Sequence, residues 1–191
     1  MVAVFVLSAV PVDTSRRQQV LTRLEDARRA RPTSGELALR LGMLHEAEGR
    51  FDDAEAQYRD AIVRAERPSV ALNNLAWLLA FRPGRADEAL RMVDRAVELS
   101  GPLPDLLDTR GVVELALKQP GKAATDLRLA VASSPGAVRF YHLSQAYLAA
   151  GDRRNAREAF DRAVAAGLGE SALHPLERGA FAGHCAGLGL K

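Results

Sequence analysis

The sequence predicts an all-α solenoid of about five antiparallel helix–turn–helix repeats, closed by a C-terminal capping helix. Three observations support this fold class. Alanines recur at a period near 34 residues, apolar residues within each period are spaced three, four and seven apart, and strand-like alternation is missing from the chain. One helical hairpin cannot bury its own apolar face, so neighbouring repeats must stack on each other.

The period is visible in several columns of residues that repeat together. One alanine column has spacings of 35, 34 and 33 residues and comprises Ala54, Ala89, Ala123 and Ala156. A second alanine column follows seven residues later, at Ala61, Ala96, Ala130 and Ala163. Between them stands a larger apolar column, Tyr58, Val93, Leu127 and Phe160. Upstream lies a column of small residues, Gly42, Ala76, Gly111 and Ser144. The small residues let two helices approach closely, and the large residues fill the space beside them.

Glycine and proline mark the ends of the predicted helices. Three glycines fall between the two helical stretches of a repeat, where a left-handed residue ends a helix, and they are Gly49, Gly84 and Gly151. Prolines follow the second stretch and stop it, at Pro32, Pro68, Pro104 and Pro135. Each unit is therefore a helix, a tight turn and a second, antiparallel helix.

These signals divide the chain into six segments. They are a degenerate N-terminal repeat (1–34), four repeats (35–68, 69–103 with a one-residue insertion near Pro83, 104–136 and 137–169), and a capping helix with its tail (170–191). The apolar face of the capping helix comprises Leu173, Leu176, Ala180 and Phe181. At the start, Val2 to Val10 is apolar, but no basic residue precedes it and Pro11 closes it early. A buried first helix is therefore favoured over an export signal.

The columns resemble the tetratricopeptide repeat (TPR) family over residues 1 to 167. Repeat 35–68 carries the pattern through Leu41, Gly42, Gly49, Phe51, Ala54, Tyr58 and Ala61. Longer strings, such as residues 72–80 and 141–147, resemble the C-terminal part of large bacterial TPR proteins. The departures are Pro11, the insertion near Pro83, and Arg110 in place of a leucine. The resemblance implies a right-handed superhelix in which the first helix of every repeat lines a concave groove.

The resemblance also implies which residues point into that groove and bind a partner. They are Glu36, Leu39, Met43, Asn73, Asn74, Trp77, Asp108, Val112, Tyr141 and Gln145. The two asparagines offer amides to a peptide backbone, and Trp77 and Tyr141 offer aromatic anchors. In the alternative interpretation Trp77 packs between helices and the asparagines bond to an adjacent turn. Glu36 and Asp108 make the groove acidic, so we expect it to prefer neutral or basic segments.

The sequence predicts no catalytic residue, metal site or cofactor. The glycine-rich stretch 167–172 lacks the preceding strand that a dinucleotide loop needs. His142, His174 and His184 fall on different helices, so we do not expect a three-ligand metal site. His184 beside Cys185 is interpreted as packed or solvent-facing rather than as part of a nucleophilic pair.

The predicted function is a non-catalytic scaffold that binds a peptide or protein segment in the groove. One alternative is a substrate-recruiting segment of a larger enzyme or of a secretion assembly. A less favoured alternative is RNA binding through the basic first repeat, because 26 basic and 24 acidic residues leave a net charge of only +2. No apolar run is long enough to span a bilayer. The unpaired Cys185 and the weak export signal favour the cytoplasm, whereas a signal in a longer parent chain would direct the protein to the periplasm.

Overall fold

The computed structural model describes residues 14–190, which form a succession of α-helices. The helices are α1 (Thr14–Ala30), α2 (Gly35–Ala47), α3 (Phe51–Arg64), α4 (Ser69–Ala80), α5 (Ala86–Ser100), α6 (Pro104–Ala116), α7 (Pro120–Ser133), α8 (Ala137–Ala149), α9 (Arg153–Ala165) and α10 (Pro175–Gly187). A single 3-10 turn, Glu170–Ala172, precedes α10. This part of the chain contains no strand, so the predicted all-α class is confirmed.

Consecutive helices pack in pairs, and each pair then stacks on the next. The pairs are α2 with α3, α4 with α5, α6 with α7, and α8 with α9. Helix α1 packs on α2, in the place of the second helix of a preceding repeat. The predicted first helix of that repeat and the apolar stretch Val2 to Val10 lie outside the described residues. The described helices therefore form the predicted solenoid.

The core follows the predicted columns. The eight column alanines are completely buried, and so are Tyr58, Val93 and Leu127 of the large column. A Cβ added to Gly42 would lie 2.6 Å from the Tyr58 ring, and one added to Gly111 would lie 2.5 Å from Leu127 Cγ. The predicted packing of a small residue against a large one is thus confirmed in these two repeats.

The turns inside the repeats use a left-handed residue, as predicted. Gly49, Gly84 and Gly151 have φ angles of 73°, 73° and 83°. In repeat 104–136 the same place is taken by Lys118, whose φ is 60°. The sequence did not indicate this residue, because lysine is not a typical left-handed residue.

Arg110 occupies a position where the other repeats have leucine, and it joins three helices. Its guanidinium donates hydrogen bonds to Asp126 of α7 (Nη2–Oδ1 3.0 Å) and to Asp94 of α5 (Nη1–Oδ1 3.3 Å). Asp126 is only 7% exposed. The departure from the family pattern is therefore compensated by a partly buried ion pair.

Between residues 14 and 190, no helix is both long enough and apolar enough to cross a bilayer.

Candidate functional site

The C-terminal helix α10 lies across the first helices of the repeats. At its start His174 contacts Trp77 of α4, with ring centroids 6.2 Å apart, and Leu176 packs against the central core cluster. Further along, Phe181 contacts Tyr141 of α8 at 5.7 Å and Phe160 of α9 at 6.2 Å. Helix α10 thus covers the last repeat, as the sequence predicts of a cap, and it also extends over the surface predicted to be the groove. We call the surface formed by Glu46, Trp77, Asp108, Tyr141 and His142 the groove.

A capping box fixes the start of α10. The backbone N–H of Leu176 donates to His174 Nδ1 at 3.2 Å, and Glu177 Oε2 accepts from the backbone N–H of His174 at 3.3 Å. Pro175 stands at the first helical position, where its missing N–H is not needed. Because Nδ1 of His174 is an acceptor, its ring proton lies on Nε2. That nitrogen is 3.3 Å from Glu46 Oε1 of α2.

Glu46 connects α10 to the core of the solenoid. Its second oxygen, Oε2, accepts a hydrogen bond from the hydroxyl of Tyr58, the large residue that packs on Gly42. Burial, together with the negative charge of Glu46, raises the pKa of Tyr58, so the phenol stays protonated and remains a donor. One buried carboxylate therefore contacts a core residue on one side and α10 on the other.

His142 of α8 is the centre of the groove. Its ring is 0% exposed, with Nδ1 2.9 Å from Asp108 Oδ1 and Nε2 2.8 Å from Glu177 Oε1. Burial lowers the pKa of His142, but the two carboxylates outweigh burial and raise the pKa to about 10. The ring is therefore an imidazolium at neutral pH, and both nitrogens donate. The groove that the sequence predicts to be acidic thus contains a buried cation, and this cation contacts a carboxylate of α10.

Near its C-terminal end, α10 is attached to the repeats through a neutral histidine, His184. His184 Nε2 lies 2.9 Å from Ser144 Oγ, and Ser144 uses its only proton to donate to Ala156 O at 2.6 Å. The imidazole must then be the donor to Ser144. Burial lowers the pKa of His184 to about 4, so the ring is neutral at pH 7. It packs edge-on against Tyr141, with ring centroids 5.2 Å apart.

The ten predicted groove residues fall into three groups. Trp77, Asp108 and Tyr141 contact α10 or its partner His142. Six others are buried or half-buried on the first helices, namely Leu39, Met43, Asn73, Asn74, Val112 and Gln145. Glu36 is exposed and pairs within α2 with Arg40, at 2.7 Å. Asn73 Nδ2 points to Asn74 Oδ1 at 3.5 Å. Their role in binding a partner stays a prediction.

Sequence reasoning missed five residues of this site. They are Glu46, His142, His174, Glu177 and His184. The prediction that the three histidines fall on different helices is wrong for two of them, because His174 caps α10 and His184 lies within it. The position of α10 brings both, together with His142 of α8, to the groove and its rim. The sequence does hold one signal of the contact, since His174-Pro-Leu-Glu177 matches the start of a capped helix. Among the described residues, no group of three His, Cys, Asp or Glu side chains is arranged to hold a metal ion.

Helical hairpins that stack side by side, with their first helices forming one continuous face, define a class of protein, the helical-repeat solenoid. Two family models, each described as tetratricopeptide repeat, match residues 13–71 and 139–166. Over these residues the chain carries tetratricopeptide repeats. No curated protein sequence matches it.

Several solved structures share the fold. PilW, described as a widely conserved type IV pilus biogenesis factor, aligns with a TM-score of 0.74 and 21% identity, over 92% of this chain and 80% of PilW. A thermophilic TPR protein of Thermus thermophilus aligns with a TM-score of 0.70 and 20% identity, over 92% of both chains. YrrB, described as a TPR protein with an unusual peptide-binding site, has a TM-score of 0.62 and 18% identity, over 84% of this chain and 83% of YrrB. At these identities the likeness concerns the fold.

Proposed function

We propose that the protein is a non-catalytic scaffold that binds a peptide or protein segment in the groove. Proteins of the tetratricopeptide repeat family bind protein or peptide partners. The observation that carries the proposal is that the groove already holds a helix. Glu177 of α10 sits on the His142 cation, and His174 of the same segment lies on the Trp77 ring.

The chemistry of the groove suits selective binding. Trp77 and Tyr141 present aromatic rings, which are the side chains most often found at the energetic centre of interfaces. His142 and Glu46 present opposite charges at two separate points. His142 keeps Asp108 as a partner, but a ligand without a carboxylate would leave the Nε2–H of the ring buried without an acceptor, so such a ligand binds less tightly.

The two alternative functions are less well supported. Recruitment of a substrate to a larger enzyme or a secretion assembly would use the same groove. RNA binding would need free arginines on α1, but Arg28 pairs with Asp60 of α3 and Arg29 pairs with Asp26. These pairs neutralise part of the basic surface on which that hypothesis depends.

Affinity capture from a lysate of the source organism tests the scaffold. The bait is the full chain, compared with a Trp77→Ala variant whose fold is checked by circular dichroism. We expect a protein that the wild-type chain recovers and the variant loses. The matched controls are Leu129→Ala and Val164→Ala, which truncate exposed apolar residues on second helices and should leave recovery unchanged. Equal recovery by wild type and Trp77→Ala would place the binding site outside the groove.

A further inference from the structure

We propose that α10 is an internal ligand of the groove and that the partner is a helical segment making the same contacts. Such a segment carries a carboxylate for His142, an imidazole or aromatic ring three residues before it, and an aromatic ring four residues after it. The inference rests on the proposed function and adds to it the chemistry of the partner and a competition with α10.

The contacts of the C-terminal segment are those of a helix bound in a groove. Three residues of this segment contact the groove. His174 contacts Glu46 and Trp77. Glu177 contacts His142, and Phe181 contacts Tyr141. His174, Glu177, Phe181 and His184 are spaced by three, four and three residues, which places them on one side of a helix. An amphipathic helix uses this spacing when it binds in a groove.

Helix α10 is held differently from the helices of the repeats. Its only buried residues are Glu177 and His184, and both are polar. By contrast, α8 buries six residues and α4 buries seven, most of them apolar. The attachment of α10 therefore combines buried polar contacts with half-buried aromatic and apolar ones, among them Leu176, Phe181 and Cys185. A partner with the same groups can replace these contacts one for one.

The sequence of α10 is also poor at forming a helix. Three of its residues are glycines, Gly179, Gly183 and Gly187. Each glycine lowers the helix equilibrium constant about fivefold relative to alanine. We therefore infer that α10 keeps its helical form through docking and becomes disordered when it leaves. When α10 occupies the groove, a partner cannot bind there. The apparent affinity of the partner is therefore its affinity for the empty groove multiplied by the fraction of molecules whose groove is empty.

Two variants of the full chain shift this competition in opposite directions. Glu177→Gln combined with Phe181→Ala removes the ion pair on His142 and one ring, and so weakens internal docking. Gly179→Ala combined with Gly183→Ala strengthens the helix, and a Cβ at either position meets no atom within 4 Å. Neither pair of substitutions alters the groove itself.

The probe is a fluorescein-labelled peptide with the sequence of residues 170–190, and its binding is followed by fluorescence anisotropy. Relative to the wild-type chain, we expect about tenfold tighter binding to Glu177→Gln/Phe181→Ala and about tenfold weaker binding to Gly179→Ala/Gly183→Ala. The same peptide with Glu177→Gln should bind the weakened chain about tenfold less tightly. Equal binding to all three chains, or no effect of the peptide substitution, overturns the proposal.

Three further outcomes separate the explanations. If wild-type chains form a dimer in sedimentation experiments and Glu177→Gln/Phe181→Ala abolishes it, the occupant is α10 of a second copy and the proposal is wrong. If Trp77→Ala abolishes partner capture but the peptide binds no chain, the partner class is overturned and the scaffold function stands. If the peptide binds in the expected order while Trp77→Ala leaves capture unchanged, the scaffold function fails and the internal ligand stands.

Discussion

The imidazole of His142 lies between two carboxylates, with Nε2 2.8 Å from Glu177 and Nδ1 2.9 Å from Asp108. The three residues come from α8, α10 and α6, so one buried ring connects two repeats to the C-terminal helix. Removing His142 leaves both carboxylates in the interior without their cation, whereas removing one carboxylate leaves one nitrogen of the ring without its acceptor, and either change is costly. The three groups therefore act as a unit.

Tryptophan fluorescence reports directly on this unit. The chain has one tryptophan, Trp77, and its ring contacts both His142 and His174. Glu177→Gln should loosen α10 and shift the emission of Trp77 to longer wavelength, because water reaches the ring. Glu36→Gln is the matched control, since it removes an exposed carboxylate from α2 and should not move the spectrum. Identical spectra for both variants would contradict the docking geometry.

Alkaline pH should release α10. The pKa of His142 is raised from 6.5 to about 10 in the folded chain, so its contribution is fully present below pH 6.5 and is lost as the pH rises through 10. We expect the Trp77 emission to shift progressively between pH 6.5 and 10. Glu177→Gln should show a smaller shift over this range, because its His142 has one carboxylate fewer. A pH-independent spectrum of the wild-type chain would contradict the assignment of a charged ring.

Acid should weaken the contacts that His184 makes near the C-terminal end of α10. The pKa of His184 is lowered from 6.5 to about 4, so its contribution is present above pH 6.5 and is lost as the pH falls through 4. Between these values the free energy of unfolding should fall by about 1–3 kcal/mol through this residue alone. Urea titrations of wild type and His184→Gln isolate the effect, because the variant cannot titrate there. Parallel pH profiles of the two proteins would show that His184 does not titrate differently on folding.

A methyl group added at Gly42 or Gly111 should destabilise the protein, because the helices pack closely at both glycines. Gly42→Ala and Gly111→Ala place a Cβ within 2.6 and 2.5 Å of Tyr58 and Leu127. Each should lower the free energy of unfolding by about 1–3 kcal/mol, because the larger side chain must move. Chemical denaturation measures the effect. Gly121→Ala, whose Cβ would meet no atom within 4 Å, is the control and should be neutral or stabilising. Equal effects at all three glycines would contradict the packing.

The ion pair of Arg110 should be replaceable by apolar residues only when both partners are changed. Arg110→Leu alone leaves Asp126 nearly buried without its cation and should cost about 3 kcal/mol. Adding Asp126→Met should recover most of that loss, since repeat 69–103 has Leu75 and Met92 at these positions. Arg95→Leu removes an exposed pair with Glu98 and should change stability by less than about 1 kcal/mol. A double variant no more stable than Arg110→Leu alone would count against this reasoning.

The repeating core could be predicted because its information is local. Helical spacing places Gly42 and Tyr58 on facing sides of one hairpin, and the same spacing recurs with Gly111 and Leu127. Arg110 is visible in the sequence as a departure from the columns, whereas the left-handed turn at Lys118 is not. Arg110 depends on Asp126 across a helix pair, and Lys118 takes a turn conformation that its side chain does not signal.

The sequence by itself determined the class of fold, the packing of Gly42 on Tyr58 and of Gly111 on Leu127, and the three glycine turns, because residues a few turns apart decide them. Only the tertiary structure decided that α10 extends beyond the last repeat and lies over the groove. That position depends on contacts between residues 35 or more positions apart, such as His142 with Glu177 and Ser144 with His184. Such contacts have no periodicity to reveal them. They form because each buried charge or ring nitrogen needs a partner, and the folded solenoid brings those partners together.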